Sequence, residues 1–407
     1  MVQEAEVPRC GMITKITIEL FKSIEKAEIE LGNLNVFVGA NGSGKSNLLE
    51  AIGVLSAAAD GKVTDQTLMQ RGVRPGVPKL YKSAFPSSGS RPDPNIYFSG
   101  SSQQARYAVR LYNPMADPSP AWRFKAELFE RGTEKLVSRG PNLRDNPNTE
   151  NGLAALKVVE LKEDDAALLL MRRLQNYVIY SPTTPVLRGV ARETQPTQPL
   201  GLSGGRLPEA VRELLAWHRE NDFAKDVCNQ ALHLIGWAKT YGSASASSLP
   251  LSPAASSSPT VIKFWDKYMM PGRNVLSGYD ASEGALYVLF MAVLAAHPKA
   301  PLFCAIDNAD HGLNPGLATA LTKRFADWIL SGKDERQVLM TSHNPAVLDG
   351  LPLQDDRVRL FTVDRDNKGK TIVERVVASK KLLDMADKGW TLSRLWTNKL
   401  IGGMPDV

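Results

Sequence analysis

The stretch LNVFVGANGSGKSNLLEAI, Leu34 to Ile52, decides the fold. Leu34–Val38 is almost continuously apolar, the pattern of a strand buried on both faces. After Ser46, Leu48, Leu49, Ile52 and Leu55 recur at helical spacing. The turn between them, GANGSGKS (Gly39–Ser46), fits G-x-x-x-x-G-K-[ST]. Glycines let the backbone fold tightly and turn its N–H groups toward a polyphosphate. The start of the following helix adds a partial positive charge. Lys45 can reach β- and γ-phosphates, and Ser46 can offer its hydroxyl to Mg²⁺. The expected cradle is Gly39, Asn41, Gly42, Ser43, Gly44, Lys45 and Ser46, and its ligands are ATP and Mg²⁺.

A partner acid is expected in AIDNADHGLNP, Ala305 to Pro315. The apolar run PLFCAI ends there in Asp307, which places a carboxylate at the carboxyl end of a parallel strand, where ligands of open α/β sheets bind. Asp307 can hold Mg²⁺ directly or through water. His343 follows a second buried-strand candidate, RQVLMTSH, and precedes the turn Asn344–Pro345. The expected role of His343 is contact with the γ-phosphate or the attacking water. His218, His233, His297 and His311 have no such context and read as surface or helix-packing residues.

The 407 residues allow two or three domain-sized units, or one core with a large insertion. An apolar fraction of 43% and a charged fraction of 23% are ordinary for a globular protein. The net charge of +6 is compatible with nucleic acid without demanding it. Cys10, Cys228 and Cys304 lie far apart, without metal or disulfide spacing, and Cys304 reads as core. MVQEAEVPRCGM lacks the apolar stretch of a signal peptide. The longest apolar run, ALYVLFMAVLAA from Ala285, is too short to span a bilayer. The expected setting is cytoplasmic, with no membrane partner.

Residues 1–11 read as a flexible tail. Residues 12–120 read as the N-terminal part of the core, opening with strands ITKITIEL, KAEIEL and LNVFVGA; residues 60–120 read as loop-heavy. Residues 121–260 read as an insertion, with strand WRFKAELF, helices LPEAVRELLAWHRE and FAKDVCNQALHLIGWA, and a flexible low-complexity loop at 243–259. Residues 261–407 complete the core, where strands alternating with helices imply a mainly parallel sheet and VRLFTVDRDNKGKTIVERV reads as a hairpin turning at 366–369.

About 260 residues separate Lys45 from Asp307. With such an insertion the chain resembles ABC-type ATPases of the SMC and RecF kind. FKSIEKAEIELG followed by the Leu34–Ile52 stretch resembles their opening segment. SGYDASEGALYVLFMAVL resembles their signature motif, with Ser282, Glu283 and Gly284 at the serine-acid-glycine positions. AIDNADHGLNP resembles their Walker B and D-loop, and TSHNPAVLDGL their switch-histidine segment. LSRLWTNKLIGGMP resembles the end of ATPase-only proteins near the overcoming-lysogenization-defect (OLD) group, many of which serve antiphage defence. The resemblance covers roughly residues 12–60 and 270–400.

It implies an ABC-type P-loop ATPase head, α/β with a mixed, mainly parallel sheet and a helical or irregular insertion between Walker A and the signature. It also implies a homodimer, or a higher oligomer, that buries ATP between the cradle of one copy and the signature of the other. Ser282 and Gly284 open a helix, so a hydroxyl and N–H groups face an anion there. Where the relatives carry a catalytic glutamate, this chain has Asn308. An amide can orient water but cannot take its proton. Slow hydrolysis is therefore expected, with Asp310 or His343 sharing the task. No clear glutamine of the ABC type stands out; Gln66, Gln70 and Gln103 are candidates. VDRD (Val363–Asp366) resembles the start of the OLD nuclease, but the 64 residues after His343 are too few for that domain, so cutting is expected from a separate effector, a nuclease or toxin. The competing readings are a RecF-like ATPase acting directly on DNA and, less well matched, the nucleotide subunit of a transporter.

Overall fold

The computed structural model describes residues 11–85, 95–140, 149–251, 258–379, 385 and 388–402. Most of the expected 1–11 tail lies outside them. Contacts divide the chain into two units: residues 1–32, 39–179 and 361–375, and residues 33–38, 180–360 and 376–407.

The chain opens with β1 (Lys15–Phe21), β2 (Ile24–Glu30) and β3 (Leu34–Val38). The first two alternate buried and open residues, whereas β3 is buried throughout. This is the difference between a sheet with one wet face and a strand covered on both. The first unit continues with the helix Lys45–Ala59, then β4 (Asn95–Ser101), β5 (Ala105–Tyr112), β6 (Arg123–Arg131) and β7 (Glu134–Arg139). These strands form an antiparallel sheet in the order β2-β1-β4-β5-β6-β7, which runs on past residue 120. The presence of β4 and β5 corrects the loop-heavy reading of 60–120. That window is rich in Pro, Gly and Ser, but Ile96, Phe98, Tyr107, Val109 and Leu111 supply buried β-formers at period two.

In the second unit, after β8 (Val178–Tyr180) at the division, come the helices Leu207–Trp217 and Asp222–Ile235 and an antiparallel sheet of β9 (Ala238–Ser245), β10 (Thr260–Asp266) and β11 (Val275–Ser277). β9 runs into the low-complexity stretch, because β10 pairs with it as far as Thr260↔Ser245. A ladder of backbone bonds there fixes small residues that have no pattern of their own. Residues 252–257 lie outside the description.

The helix Glu283–Ala296 is buried from Ala285 to its end, and leads to β12 (Phe303–Ile306), the helix Pro315–Ser331 and β13 (Gln337–Ser342). β13 pairs in parallel with β3 on one side and β12 on the other. Cys304, inside β12, is 1% exposed, and burial pushes its thiol up to about 12. The expected hairpin is β14 (Val358–Arg365) and β15 (Thr371–Val376), closed where Gly369 N donates to Asp366 O at 2.9 Å. Among the described residues, no helix is long and apolar enough to cross a membrane.

Candidate functional site

The candidate residues fall into two sets, one in each unit. In the first, Gly42 has φ +78 and Gly44 φ +113, a region that favours glycine. Space adds a second constraint. A Cβ on Gly39 would stand 2.1 Å from the Val363 carbonyl oxygen, and one on Gly44 2.2 Å from Thr371 Oγ1. Gly44 also opens the Lys45–Ala59 helix, whose N-terminus no side chain caps. Lys45 is buried, its ammonium donating to Gly39 O at 2.7 Å and Ala40 O at 2.8 Å. Ser43 Oγ is buried without a hydrogen-bond partner among the described residues. Asn41 and Gly42 are exposed at the tip. A turn that tolerates no Cβ at two positions, with an orphaned hydroxyl and an ammonium folded over its carbonyls, fits a polyphosphate.

Below the cradle, Glu50 is buried on the same helix and paired with Lys22 and, at 2.5 Å, Arg74 Nε. Burial alone would raise the Glu50 carboxyl. The Arg74 hydrogen bond and the Lys22 charge outweigh it, and the group sits below its usual range. Burial lowers the Lys22 ammonium in spite of Glu50. Of the glutamine candidates, Gln66 is exposed in the short helix Asp65–Met69, Gln70 caps that helix, and Gln103 is exposed in the β4–β5 turn.

In the second unit, register aligns the strand ends. Val38 pairs with Ser342, and Ile306 with Met340. The residues that follow β13 and β12 along the chain are His343 and Asp307. Asp307 Oδ1 accepts from Thr341 Oγ1 at 2.5 Å, and the same oxygen of Thr341 accepts from Asn308 N at 2.8 Å. Asn308 has φ +55, where asparagine is better tolerated than most side chains. Asp310 Oδ2 accepts from His343 N at 3.3 Å, so these two residues come together, while Asp310 Oδ1 is buried without a partner among the described residues. His343 is exposed.

Ser282 is exposed at the N-cap of the Glu283–Ala296 helix without capping it. Its oxygen accepts from Trp237 Nε1 at 3.4 Å, which leaves its own proton to donate elsewhere. A Cβ on Gly284 would lie 2.6 Å from Leu317 Cδ2. Glu283 accepts from Thr184 Oγ1 and faces His311 Nδ1 at 3.7 Å, and His311 stacks on Tyr287 at 6.2 Å. Sequence reasoning missed Trp237, Thr184 and Thr341. Each is an ordinary residue in a run of ordinary residues, and only the fold brings it to the site.

The family model described as "AAA domain, putative AbiEii toxin, Type IV TA system" matches residues 34–349, from the strand before the cradle to beyond His343. The chain belongs to this AAA-domain family. Its sequence and fold are SMC/RecF-like. It is 30% identical over 135 residues to the DNA replication and repair protein RecF of Magnetococcus marinus, a match covering 32% of this chain and 34% of that protein. It is 56% identical over 41 residues to an uncharacterized protein of Methanocaldococcus jannaschii, covering 10% and 12%. The chain thus spans about a third or less of the length of these relatives. Among solved structures, it is similar to an SMC head bound to the C-winged helix domain of ScpA, with TM-score 0.53 and 13% identity over 91% of this chain and 99% of that one. That likeness establishes the ABC-type P-loop head fold, mixed α/β as the sequence implied.

Proposed function

We propose that this chain binds ATP–Mg²⁺, hydrolyses it slowly, and pairs with a second copy around the nucleotide to act as a cytoplasmic sensor or scaffold for a separate effector, a nuclease or toxin, in antiphage defence. The observation that carries the reading is the turn Gly39–Ser46, where Gly39 and Gly44 leave no room for a side chain. The toxin–antitoxin description of the family supports the defence setting.

In this reading the N–H groups of Gly42–Lys45 and the Lys45 ammonium hold the β- and γ-phosphates, with Asn41 at the tip. Ser46 and Asp307 hold Mg²⁺, which when bound neutralises charge on the phosphate oxygens. Thr341 keeps Asp307 in place by donating to it. Asn308 orients water without accepting its proton. Asp310 and His343, joined through the His343 backbone, share that task. Ser282 and Gly284 meet the γ-phosphate held by the other copy, so losing that phosphate loosens the pair.

Molar mass in solution with and without ATP–Mg²⁺ tests this, alongside ATP titration. Wild type should bind ATP and double its mass. Lys45→Ala should do neither; intact binding and pairing in that variant would overturn the assignment of the cradle.

A second reading, a RecF-like ATPase acting on DNA, draws on the RecF similarity. It requires ATP-dependent duplex binding that weakens steeply as salt rises; unchanged mobility of a labelled duplex at low salt removes it.

A further inference from the structure

A turn that aims its N–H groups inward at phosphate must aim its carbonyls outward, and those carbonyls need donors of their own. Their donors come from remote parts of the first unit. Thr371 Oγ1, at the start of β15, donates to Ser43 O at 2.8 Å. Arg365 Nε, at the end of β14, donates to Gly42 O at 2.7 Å, and its Nη1 donates to Gly369 O at 2.7 Å across the hairpin's own turn. Thr371 Oγ1 also lies 2.7 Å from Ser23 Oγ, and Ser23 Oγ accepts from Asn47 Nδ2 at 2.7 Å.

The proton order in this chain follows from the donor inventory. Asn47 Nδ2 can only donate, so Ser23 receives there. Thr371 has one proton and gives it to Ser43 O. Ser23 must therefore donate to Thr371 rather than the reverse. The relay runs Asn47 to Ser23 to Thr371 to the Ser43 carbonyl, with every hydroxyl proton committed. It ties Asn47, in the first turn of the Lys45–Ala59 helix, to the Ser43 carbonyl of the loop before it. Ser23 and Thr371 are buried, so water does not replace a missing member cheaply. The same hairpin closes on the glycines: Val363 O faces Gly39 and Thr371 Oγ1 faces Gly44.

We infer that the hairpin Val358–Val376, through Thr371 and Arg365, is a brace that holds the Gly39–Ser46 turn in its phosphate-ready shape. Thr371, Ser23 and Arg365 are positioning residues and touch no nucleotide themselves. This rests on the cradle being the ATP site, and it assigns a role to the VDRD segment other than that of a nuclease. Asp364 and Asp366 belong to the brace's hairpin, Asp366 Oδ1 accepting from Lys368 N and Lys370 N at 2.9 and 2.8 Å.

The test compares wild type, Thr371→Val, Thr371→Ser, Arg365→Gln and Lys45→Ala by ATP titration and by amide hydrogen exchange of the turn without nucleotide. Thr371→Val keeps the shape of the side chain but strands the Ser43 carbonyl and the Ser23 proton. It should weaken ATP binding about tenfold and speed exchange in residues 42–46, with the rest of the first unit unchanged. Thr371→Ser restores the hydroxyl and should recover both. Arg365→Gln, on the exposed side, should weaken binding about threefold and serves if Thr371→Val does not fold. Wild-type affinity and exchange in both Thr371→Val and Arg365→Gln overturn the brace. Should Lys45→Ala bind ATP as wild type does, the nucleotide reading fails instead, and the exchange measurement still decides the brace.

Discussion

The cradle and the acid-bearing strand end are built on different terms. Around Gly39–Ser46 the carbonyls of Gly39, Ala40, Gly42 and Ser43 all have side-chain donors, and neighbouring atoms close the space at two glycines. After β12, Asp310 Oδ1 has no partner among the described residues and Asn308 holds a left-handed backbone, while at the start of the Glu283–Ala296 helix the Ser282 hydroxyl receives a long bond from Trp237. Binding geometry is fixed in advance. In the proposed reading, the contrast fits a head that holds nucleotide first and turns it over second.

The hardest test of that contrast is Gly44→Ala. Its Cβ would meet Thr371 Oγ1 at 2.2 Å and Ser23 Oγ at 3.0 Å, on a residue at φ +113. Loss of ATP binding is expected, with a destabilisation of about 3 kcal/mol or more in chemical denaturation. Gly42→Ala sharpens it: φ is +78 but nothing lies within 4 Å, so only strain of about 1–2 kcal/mol should appear and the protein should still fold. Equal behaviour of the two would mean that the cradle is not space-limited.

Next in size is Asn308→Glu, which supplies a proton acceptor where the amide has none. Phosphate release should rise by roughly tenfold to a hundredfold, toward the range of general-base effects. It should also cost about 1 kcal/mol, because glutamate is less at ease at φ +55. An unchanged rate in a folded variant removes Asn308 from the hydrolytic step. Thr341→Val takes a donor from Asp307 and an acceptor from Asn308 N–H. The expected effect is about 1–3 kcal/mol of stability and a several-fold higher Mg²⁺ requirement, with Thr341→Ser close to wild type.

The core-building strands were legible because β3, β12 and β13 are covered on both faces and so read as largely apolar runs. The glycine turn was legible because few sequences satisfy its backbone. β4 and β5 were not, since a composition window averages their alternating residues with the Pro and Ser around them. Thr371 and Arg365 were not legible either. The hairpin turn that carries them is local and readable, but its contact with a loop more than 320 residues earlier is tertiary.

The smallest effect expected is a pH response at His297. Burial lowers its imidazole below the ordinary value, against the pull of Glu213 at 3.4 Å. The folded chain therefore keeps the ring neutral when the unfolded chain takes a proton. Stability should be level above about pH 6.5 and fall by about 1 kcal/mol per pH unit or less below it. His297→Gln should flatten that acid limb in urea melts; an unchanged slope would assign it to other groups.

The pairing of β3 with β13 has a consequence during synthesis. The strand that delivers the chain into the cradle is made early, but the ladder partner facing Leu34–Val38 is Val338–Ser342. A ribosome must add some 300 residues before that edge exists, and closing so long a loop is slow. Chains that stop short of β13 should, in the proposed reading, be unable to grip a triphosphate, so nucleotide capture waits until Val338–Ser342 has been made.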